Sequence, residues 1–195
     1  MNEPWLYALI STYVPEHSKI LTKLAGGLLI KEIRDENTYA NGVLHSFNDE
    51  PALITADETR IWYQNGWIHR DNDLPAVIKP SGAQVWYQNG WLHRDNIEAG
   101  VDLPAIIWAD GTKEWWRNGR LHRDNDLPAV IRYDGTKEWW WNGKLHRNND
   151  LPAVIYVDGE QRWYQNGLLY RDNDLPAIVY EHDRDTGERQ NCLIL

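Results

Sequence analysis

KEWWWNGKLHRNNDLPAVIYVDGEQRWYQNGLLYRDNDLPA, from Lys137 to Ala177, contains two copies of one pattern. Trp, Asn-Gly, Leu and Asp-Leu-Pro-Ala recur in it at a spacing of 24 residues. Asn-Gly and Asp-Gly pairs stand between β-forming residues in this stretch. Such pairs favour tight hairpin turns, because these turns need positive φ at their central residues. The stretch therefore predicts a β-hairpin unit that repeats along the chain.

The unit recurs over most of the 195 residues. Six Asn-Gly pairs begin at Asn41, Asn65, Asn89, Asn118, Asn142 and Asn166, so the intervals are 24, 24, 29, 24 and 24. The long interval contains five extra residues, Ile97 to Val101, which we expect in a loop. The sequence predicts a mainly β protein, in which residues 27–195 form an elongated, twisted antiparallel sheet of six 24-residue β-hairpin repeats, each packed on its neighbours.

Residues 1–26 differ in kind from the repeats. Apolar residues recur at helical spacing in residues 6–14, and Ser18 is placed to cap a second helix that ends at Gly26. Terminal units of repeat proteins are commonly atypical. We therefore expect a short helical N-terminal cap that shields the first strand of the array.

The expected turns also predict which side chains share a face of the sheet. Around the fifth Asn-Gly turn, Trp139 is expected opposite His146, and Trp140 opposite Leu145. Around the preceding Asp-Gly turn, Val130 is expected opposite Trp139. One face then carries Trp, His and Val, and the other carries Tyr or Trp, Leu and Ile. We assign the Leu/Ile/Tyr face to the core and the Trp/His face to a half-exposed surface, because both faces cannot be left in water.

The Trp/His face is the predicted partner-binding surface. Its members are Trp62, Trp86, Trp115, Trp139, Trp163, His69, His93, His122 and His146. Neighbouring histidines are expected about 10 Å apart, because each repeat adds two strands at about 4.8 Å. Zinc ligands lie only about 2.1 Å from the ion. We therefore predict no metal or cofactor site and expect each His to pack on its cross-strand Trp and to form local hydrogen bonds.

Acidic segments at residues 71–73, 124–126 and 172–174 join the copies. They lack the Gly and the terminal Glu of an EF-hand loop, so we expect turns in which side-chain oxygens bind nearby backbone N–H groups, with calcium binding as the alternative. An arginine precedes each loop and is expected to pair with these carboxylates as a clamp between units. The arginines are Arg70, Arg94, Arg123, Arg147 and Arg171.

The composition limits location and partners. A net charge of −9 disfavours nucleic acid and anionic membranes. Cys192 is the single cysteine, no apolar run approaches the roughly 18 residues of a membrane span, and the N-terminus lacks the features of a secretory signal. We expect a cytoplasmic protein without membrane insertion. The apolar end Leu193, Ile194 and Leu195 predicts an exposed strand edge and therefore a homo-oligomer, such as a homodimer, joined through this edge or through an aromatic face.

The segment Trp-Tyr-Gln-Asn-Gly-Trp-Ile-His at 62–69 resembles the MORN repeat family, whose units are β-hairpins of similar length. An Arg-Asp-Asn-Asp-Leu-Pro-Ala segment stands where that family has glycines after the His. The chain from about Gly27 onward is more similar to the Trp-x-Asn-Gly-x-x-His-Arg…Leu-Pro-Ala arrays of large DNA viruses and some phages. This resemblance implies a viral protein located in the host cytoplasm or the virion.

Similar viral arrays often follow an F-box, and residues 3–15 resemble the opening helix of one, although a third helix is lacking. This resemblance implies docking to a ubiquitin-ligase adaptor through residues 4–25, with the array holding a target.

No phosphate-binding Gly-rich loop, Ser/His/Asp set or activated cysteine is evident, and the Asp and His residues recur rather than forming one asymmetric cluster. The sequence therefore predicts a non-enzymatic repeat protein that acts as a protein-interaction module or structural scaffold. Two alternatives remain open: the F-box-type adaptor, and a small-ligand binder in which glycans or single-stranded nucleic acid stack on the Trp side chains.

Overall fold

The structure is a computed structural model and describes residues 17–24, 27–34, 37–95 and 102–180. Every regular element in these ranges is a β-strand, and the strands are numbered β1 to β25 along the chain. The predicted mainly β, antiparallel repeat architecture is confirmed. No helix within these ranges is long and apolar enough to cross a bilayer.

The first four strands form one antiparallel sheet. They are β1 (His17–Leu24), β2 (Gly27–Arg34), β3 (Asn37–Ala40) and β4 (Val43–Leu44). The predicted second cap helix is wrong, because β1 pairs with β2 over its whole length. Helices this short are marginal in water, and Gly-Gly between two apolar runs also favours a hairpin. The first predicted cap helix, in residues 6–14, lies outside the described residues.

A long antiparallel sheet of 11 strands follows, and its spatial order is the order along the chain. Each complete copy contributes two strands of two residues. They are β5 (Leu53–Ile54), β6 (Arg60–Ile61), β9 (Val77–Ile78), β10 (Gln84–Val85), β13 (Ile106–Ile107), β14 (Lys113–Glu114), β17 (Val130–Ile131), β18 (Lys137–Glu138), β21 (Val154–Ile155), β22 (Gln161–Arg162) and β25 (Ile178–Val179).

A separate two-stranded hairpin follows each pair of strands. The hairpins are β7 (Tyr63–Gln64) with β8 (Trp67–Ile68), β11 (Tyr87–Gln88) with β12 (Trp91–Leu92), β15 (Trp116–Arg117) with β16 (Arg120–Leu121), β19 (Trp140–Trp141) with β20 (Lys144–Leu145), and β23 (Tyr164–Gln165) with β24 (Leu168–Leu169). Their Asn-Gly turns have the predicted type I′ character, since φ is +50° at Asn142 and +81° at Gly143. The predicted pairing of Trp140 with Leu145 is confirmed.

The Asp-Gly turns are one residue longer than predicted. The N–H of Arg132 donates to the carbonyl of Thr136 at 2.9 Å, which leaves three residues between them. Of these three, only Gly135 has a positive φ, +93°. This is the three-residue hairpin loop with glycine in the left-handed region. Val130 consequently pairs with Glu138 rather than with the tryptophan that follows it.

The extra residue in each Asp-Gly loop places one tryptophan of each copy at the corner between the long sheet and the hairpin. The N–H of Trp139 donates to the carbonyl of Ala153 in the next copy at 2.8 Å, and its own carbonyl accepts from the N–H of His146 at 3.0 Å. The equivalent tryptophans, called the tryptophan ladder below, are Trp62, Trp86, Trp115, Trp139 and Trp163, and they are only 4–7 % exposed. The predicted half-exposed Trp/His face is therefore wrong: its tryptophans belong to the core.

Candidate interaction surface

Each copy is bound to the preceding one by the predicted arginine clamp. Arg147 donates from Nε and Nη2 to the two carboxylate oxygens of Asp126, at 2.8 Å each. Its guanidinium carbon lies 3.8 Å from the ring centroid of Trp139, and Nη1 donates to the carbonyl of Pro152 at 3.2 Å. The prediction that these arginines pair with loop carboxylates is confirmed, and the carboxylate belongs to the loop 21 residues earlier.

The carboxylate pair and the stack on the ladder ring recur at five arginines, and the bond to a proline carbonyl recurs at four of them. The guanidinium carbon lies 3.6–4.0 Å from the centroid of the ladder ring in each case. The arginines are Arg70, Arg94, Arg123, Arg147 and Arg171. Because a guanidinium covers one face of each ring and the ring is buried, the tryptophan ladder has no open face on which a sugar or a base can stack.

The acidic loops form turns as predicted, but their side-chain oxygens accept from side chains such as Arg147 and His122 rather than from nearby backbone N–H groups. Asn125 and Asp126 both have left-handed backbone, with φ of +59° and +53°, and the N–H of Leu127 donates to the carbonyl of Asp124 at 3.2 Å. Hydrogen bonds from the clamp arginine hold the pKa of the Asp126 carboxyl below its ordinary value. Over the described ranges, no group of three or more His, Cys, Asp or Glu residues is placed to hold a metal ion.

The histidines that follow the Asn-Gly turns join successive copies through hydrogen bonds. Nδ1 of His122 accepts the backbone N–H of Asn142 at 3.2 Å, and Nε2 lies 2.9 Å from Oδ1 of Asp124. Since Nδ1 is an acceptor, the ring proton resides on Nε2 and is donated to the carboxylate. The same arrangement holds at His69, His93 and His146, with Asn148 replacing the aspartate in the last case. The predicted local hydrogen bonding of these histidines is confirmed.

The exposed tryptophans lie elsewhere, on the outer side of the hairpins. Cross-strand partners share a face of a hairpin. We call the face formed by the following pairs the hairpin face: Gln64–Trp67, Gln88–Trp91, Arg117–Arg120, Trp141–Lys144 and Gln165–Leu168. Trp67, Trp91 and Trp141 are 62 %, 61 % and 49 % exposed. The other face of these strands points inward: Tyr87 and Leu92, for example, pack against the buried cluster of Val77, Val85 and Ile106.

The residue after each turn glycine lies over the glycine of the next copy. A Cβ placed on Gly90 would lie 2.6 Å from Cε3 of Trp67, and a Cβ on Gly119 would lie 2.7 Å from Cε3 of Trp91. The Gly119 N–H also donates to the Leu92 carbonyl at 2.9 Å, so the hairpins stay in register past the five extra residues at 97–101. The exposed rings are therefore held against backbone rather than extended freely into solvent.

The tryptophans of the hairpin face differ from the others in the hydrogen bonding of their indole N–H groups. Of the eleven tryptophans within the described ranges, eight donate their indole N–H to a protein oxygen. The three that have no protein acceptor there are Trp67, Trp91 and Trp141, all on the hairpin face. Sequence reasoning missed these residues, although their position beside Asn-Gly marks them as cross-strand partners on one face.

Charge on the hairpin face is positive, although the whole chain carries −9. None of the ten residues in its cross-strand pairs is acidic, and three are cationic. Arg117 donates to Asp124 at 2.5 Å, whereas Arg120 and Lys144 form no ion pair with any residue that the structure describes. The face thus changes from Trp and Gln in the second and third copies to two arginines in the fourth and to Lys144 beside Trp141 in the fifth.

The predicted oligomer edge, Leu193, Ile194 and Leu195, lies outside the described residues. Comparisons with protein-family models, with curated proteins and with solved structures find no match to the chain.

Proposed function

We propose that the protein is a non-enzymatic repeat scaffold that binds another protein through the hairpin face. The observation that carries this proposal is the row formed by Trp67 and Trp91, which are more than half exposed and are fixed against the glycine of the following copy. Contiguous exposed aromatic surface is typical of protein interaction sites, where tryptophan is enriched among the residues that dominate affinity.

The polar groups of the array support a binding role over a catalytic one. The clamps and the histidine bonds recur copy after copy, whereas catalysis needs one asymmetric cluster of groups. A recess between the second and third copies has a volume of about 190 Å³ and is lined by His69, Arg94 and Asp95, all engaged in these bonds. Ligand pockets usually have volumes of about 300–1,000 Å³.

The two alternatives from the sequence receive less support. Stacking of glycans or bases on the tryptophan ladder conflicts with the burial of those rings under arginines. The adaptor hypothesis treats residues 4–25 as helical, whereas residues 17–24 form a strand. The resemblance to viral arrays makes a host-cell lysate the appropriate source in which to seek partners.

The test compares proteins captured from such a lysate by the purified chain and by two double variants. Trp67→Ser with Trp91→Ser alters the hairpin face, and Tyr133→Ser with Val157→Ser alters equally exposed residues, 73 % and 69 % exposed, at the Asp-Gly turns. We expect one or more proteins to be retained by the parent chain and the turn variant but lost with the hairpin-face variant. Hydrogen exchange of the reconstituted complex should then show protection in residues 64–68 and 88–92. Equal capture by all three proteins would refute the proposal.

A further inference from the structure

We propose that the partner segment bound by the hairpin face is a polyproline II peptide with prolines over Trp67 and Trp91 and carboxylates over Arg120 and Lys144. This inference rests on the proposed function of the hairpin face and specifies the chemistry of its occupant.

The spacing of the copies matches the pitch of a polyproline II helix. Each copy adds two strands to the long sheet, so successive copies are about 9.6 Å apart along that sheet for strands 4.8 Å apart, and the hairpins that follow each pair of strands share this repeat. A polyproline II helix has three residues per turn and rises about 3.1 Å per residue, or about 9.3 Å per turn. Every third ligand residue therefore meets the same position in the next copy. In an extended β-strand the third residue would point the opposite way.

The chemistry of the face also fits this ligand. A polyproline II helix has no internal hydrogen bonds, so its carbonyls are free to accept. The indole N–H groups of Trp67 and Trp91 have no acceptor among the described residues, and the rings expose broad apolar surface on which proline packs. Because the rings are already fixed on Gly90 and Gly119, binding costs little side-chain entropy.

Charge selects the residues beyond the prolines. Arg120 and Lys144 occupy the same row as Trp67 and Trp91, one and two copies after Trp91, and both cations lack an anionic partner in the described structure. Carboxylates three and six residues after the second proline would meet them. The derived motif is proline at its first and fourth positions and an acidic residue at its seventh and tenth.

A single-stranded nucleic acid is the rival occupant, because aromatic and basic residues also bind bases and phosphates. The flank of the face opposes it. The Asp71 and Asp95 carboxylates lie beside the tryptophan pairs, within hydrogen-bond reach of Gln64 and Gln88, and they are 65 % and 52 % exposed. These anions would repel a phosphate backbone, whereas an uncharged proline segment approaches without that cost.

The experiment measures fluorescence polarisation of labelled ten-residue peptides with the full chain. The test peptide has proline at positions one and four and glutamate at positions seven and ten, on an alanine and proline background. Control peptides place the second proline and both glutamates one position later, or replace glutamate by lysine. A labelled oligothymidine of similar length is the nucleic-acid probe. The protein variants are Trp67→Ser with Trp91→Ser, and Arg120→Gln with Lys144→Gln, both exposed sites whose folding is checked by thermal denaturation.

We expect the test peptide to bind, the shifted and lysine peptides to bind about tenfold or more weakly, and each double variant to lose at least about fivefold in affinity for the test peptide. Equal binding of the shifted peptide overturns the spacing argument, and binding of oligothymidine in place of the peptide overturns the peptide class. Should no peptide bind while lysate capture still depends on the hairpin face, the inference fails and the proposed function stands. If capture is also independent of that face, both fail.

Discussion

Replacing Arg147 by methionine tests whether the clamp stabilises the array. The change keeps the aliphatic stem but removes three interactions. The bidentate pair with half-exposed Asp126 contributes about 0.5–1 kcal/mol after solvent screening. Stacking of a largely buried guanidinium on Trp139 adds about 1–2 kcal/mol. The bond to the buried carbonyl of Pro152 adds about 1 kcal/mol.

The sum is a loss of about 3 kcal/mol of unfolding free energy, or a fall in Tm of roughly 6–12 °C for a protein of this size. Urea denaturation followed by tryptophan fluorescence and by circular dichroism measures the loss and shows whether the two probes coincide. Arg147→Lys should lose about half as much, because an ammonium keeps the charge but loses the planar fork and the stack. A matched control is Arg120→Met, which removes an exposed guanidinium that has no ion-pair partner among the described residues and should change stability by less than about 0.5 kcal/mol.

A double-mutant cycle separates the pair from the stack. Asp126→Asn preserves the left-handed backbone, since asparagine tolerates positive φ, while it removes the carboxylate. The coupling free energy between Arg147→Met and Asp126→Asn should be about 0.5–1.5 kcal/mol. A value for Arg147→Met below about 0.5 kcal/mol, equal to the Arg120→Met control, would refute the argument that the clamp holds successive copies together.

Three further predictions concern the turns and the titratable groups. Gly90→Ala should destabilise the protein in thermal denaturation by at least about 1 kcal/mol more than Gly82→Ala, and it should alter the fluorescence of Trp67. Both glycines have positive φ, but only the Cβ at position 90 would meet an indole carbon, at 2.6 Å. The pKa of Asp126 is lowered below its ordinary value of 3.8. The carboxylate therefore contributes its full stabilisation above pH 3.8, and this contribution is lost as the pH falls through the lower pKa of the folded protein. The unfolding free energy of Asp126→Asn should depend less on pH below 4 than that of the parent chain. His122→Ala should cost about 1–3 kcal/mol in urea denaturation, because the buried imidazole is removed and the backbone N–H of Asn142 loses its acceptor, and His122→Gln should recover part of this loss; equal stability of the two variants would contradict the hydrogen-bond assignment.

The sequence predicted those parts of the fold that local turn chemistry determines. Asn-Gly permits positive φ at two successive positions and therefore specifies a two-residue turn, so the pairing of Trp140 with Leu145 followed directly. Asp-Gly is compatible both with that turn and with a three-residue loop that needs glycine at one position only. The structure adopts the longer loop around Gly135, and this choice depends on the neighbouring strands rather than on the dipeptide.

The error of one residue at that loop also misplaced the candidate site. In a sheet with a side-chain period of two, a shift of one position exchanges the two faces. Trp139 was therefore expected on an exposed face, whereas it lies buried at a corner under Arg147. The exposed indoles include those of Trp67 and Trp91 instead. The clamp itself was predictable, because each arginine precedes a carboxylate-rich loop at every repeat. The loop that each arginine reaches could not be predicted, because the choice of loop depends on how the copies stack.

Comparison of the six copies separates the residues that hold the array from those that are free to recognise a partner. Positions that contact the next copy through several groups, such as the ladder Trp and the clamp Arg, are nearly invariant along the chain, because every copy must fit its neighbour in the same way. The position after the turn glycine needs only to lie over the next glycine, and it is occupied in turn by Val43, Trp67, Trp91, Arg120, Lys144 and Leu168. Packing does not select among side chains so different in size and charge. A specific order of apolar, aromatic and cationic groups at the one structurally permissive row is what recognition of a single extended partner would require, and the buried ladder, being uniform, cannot supply it.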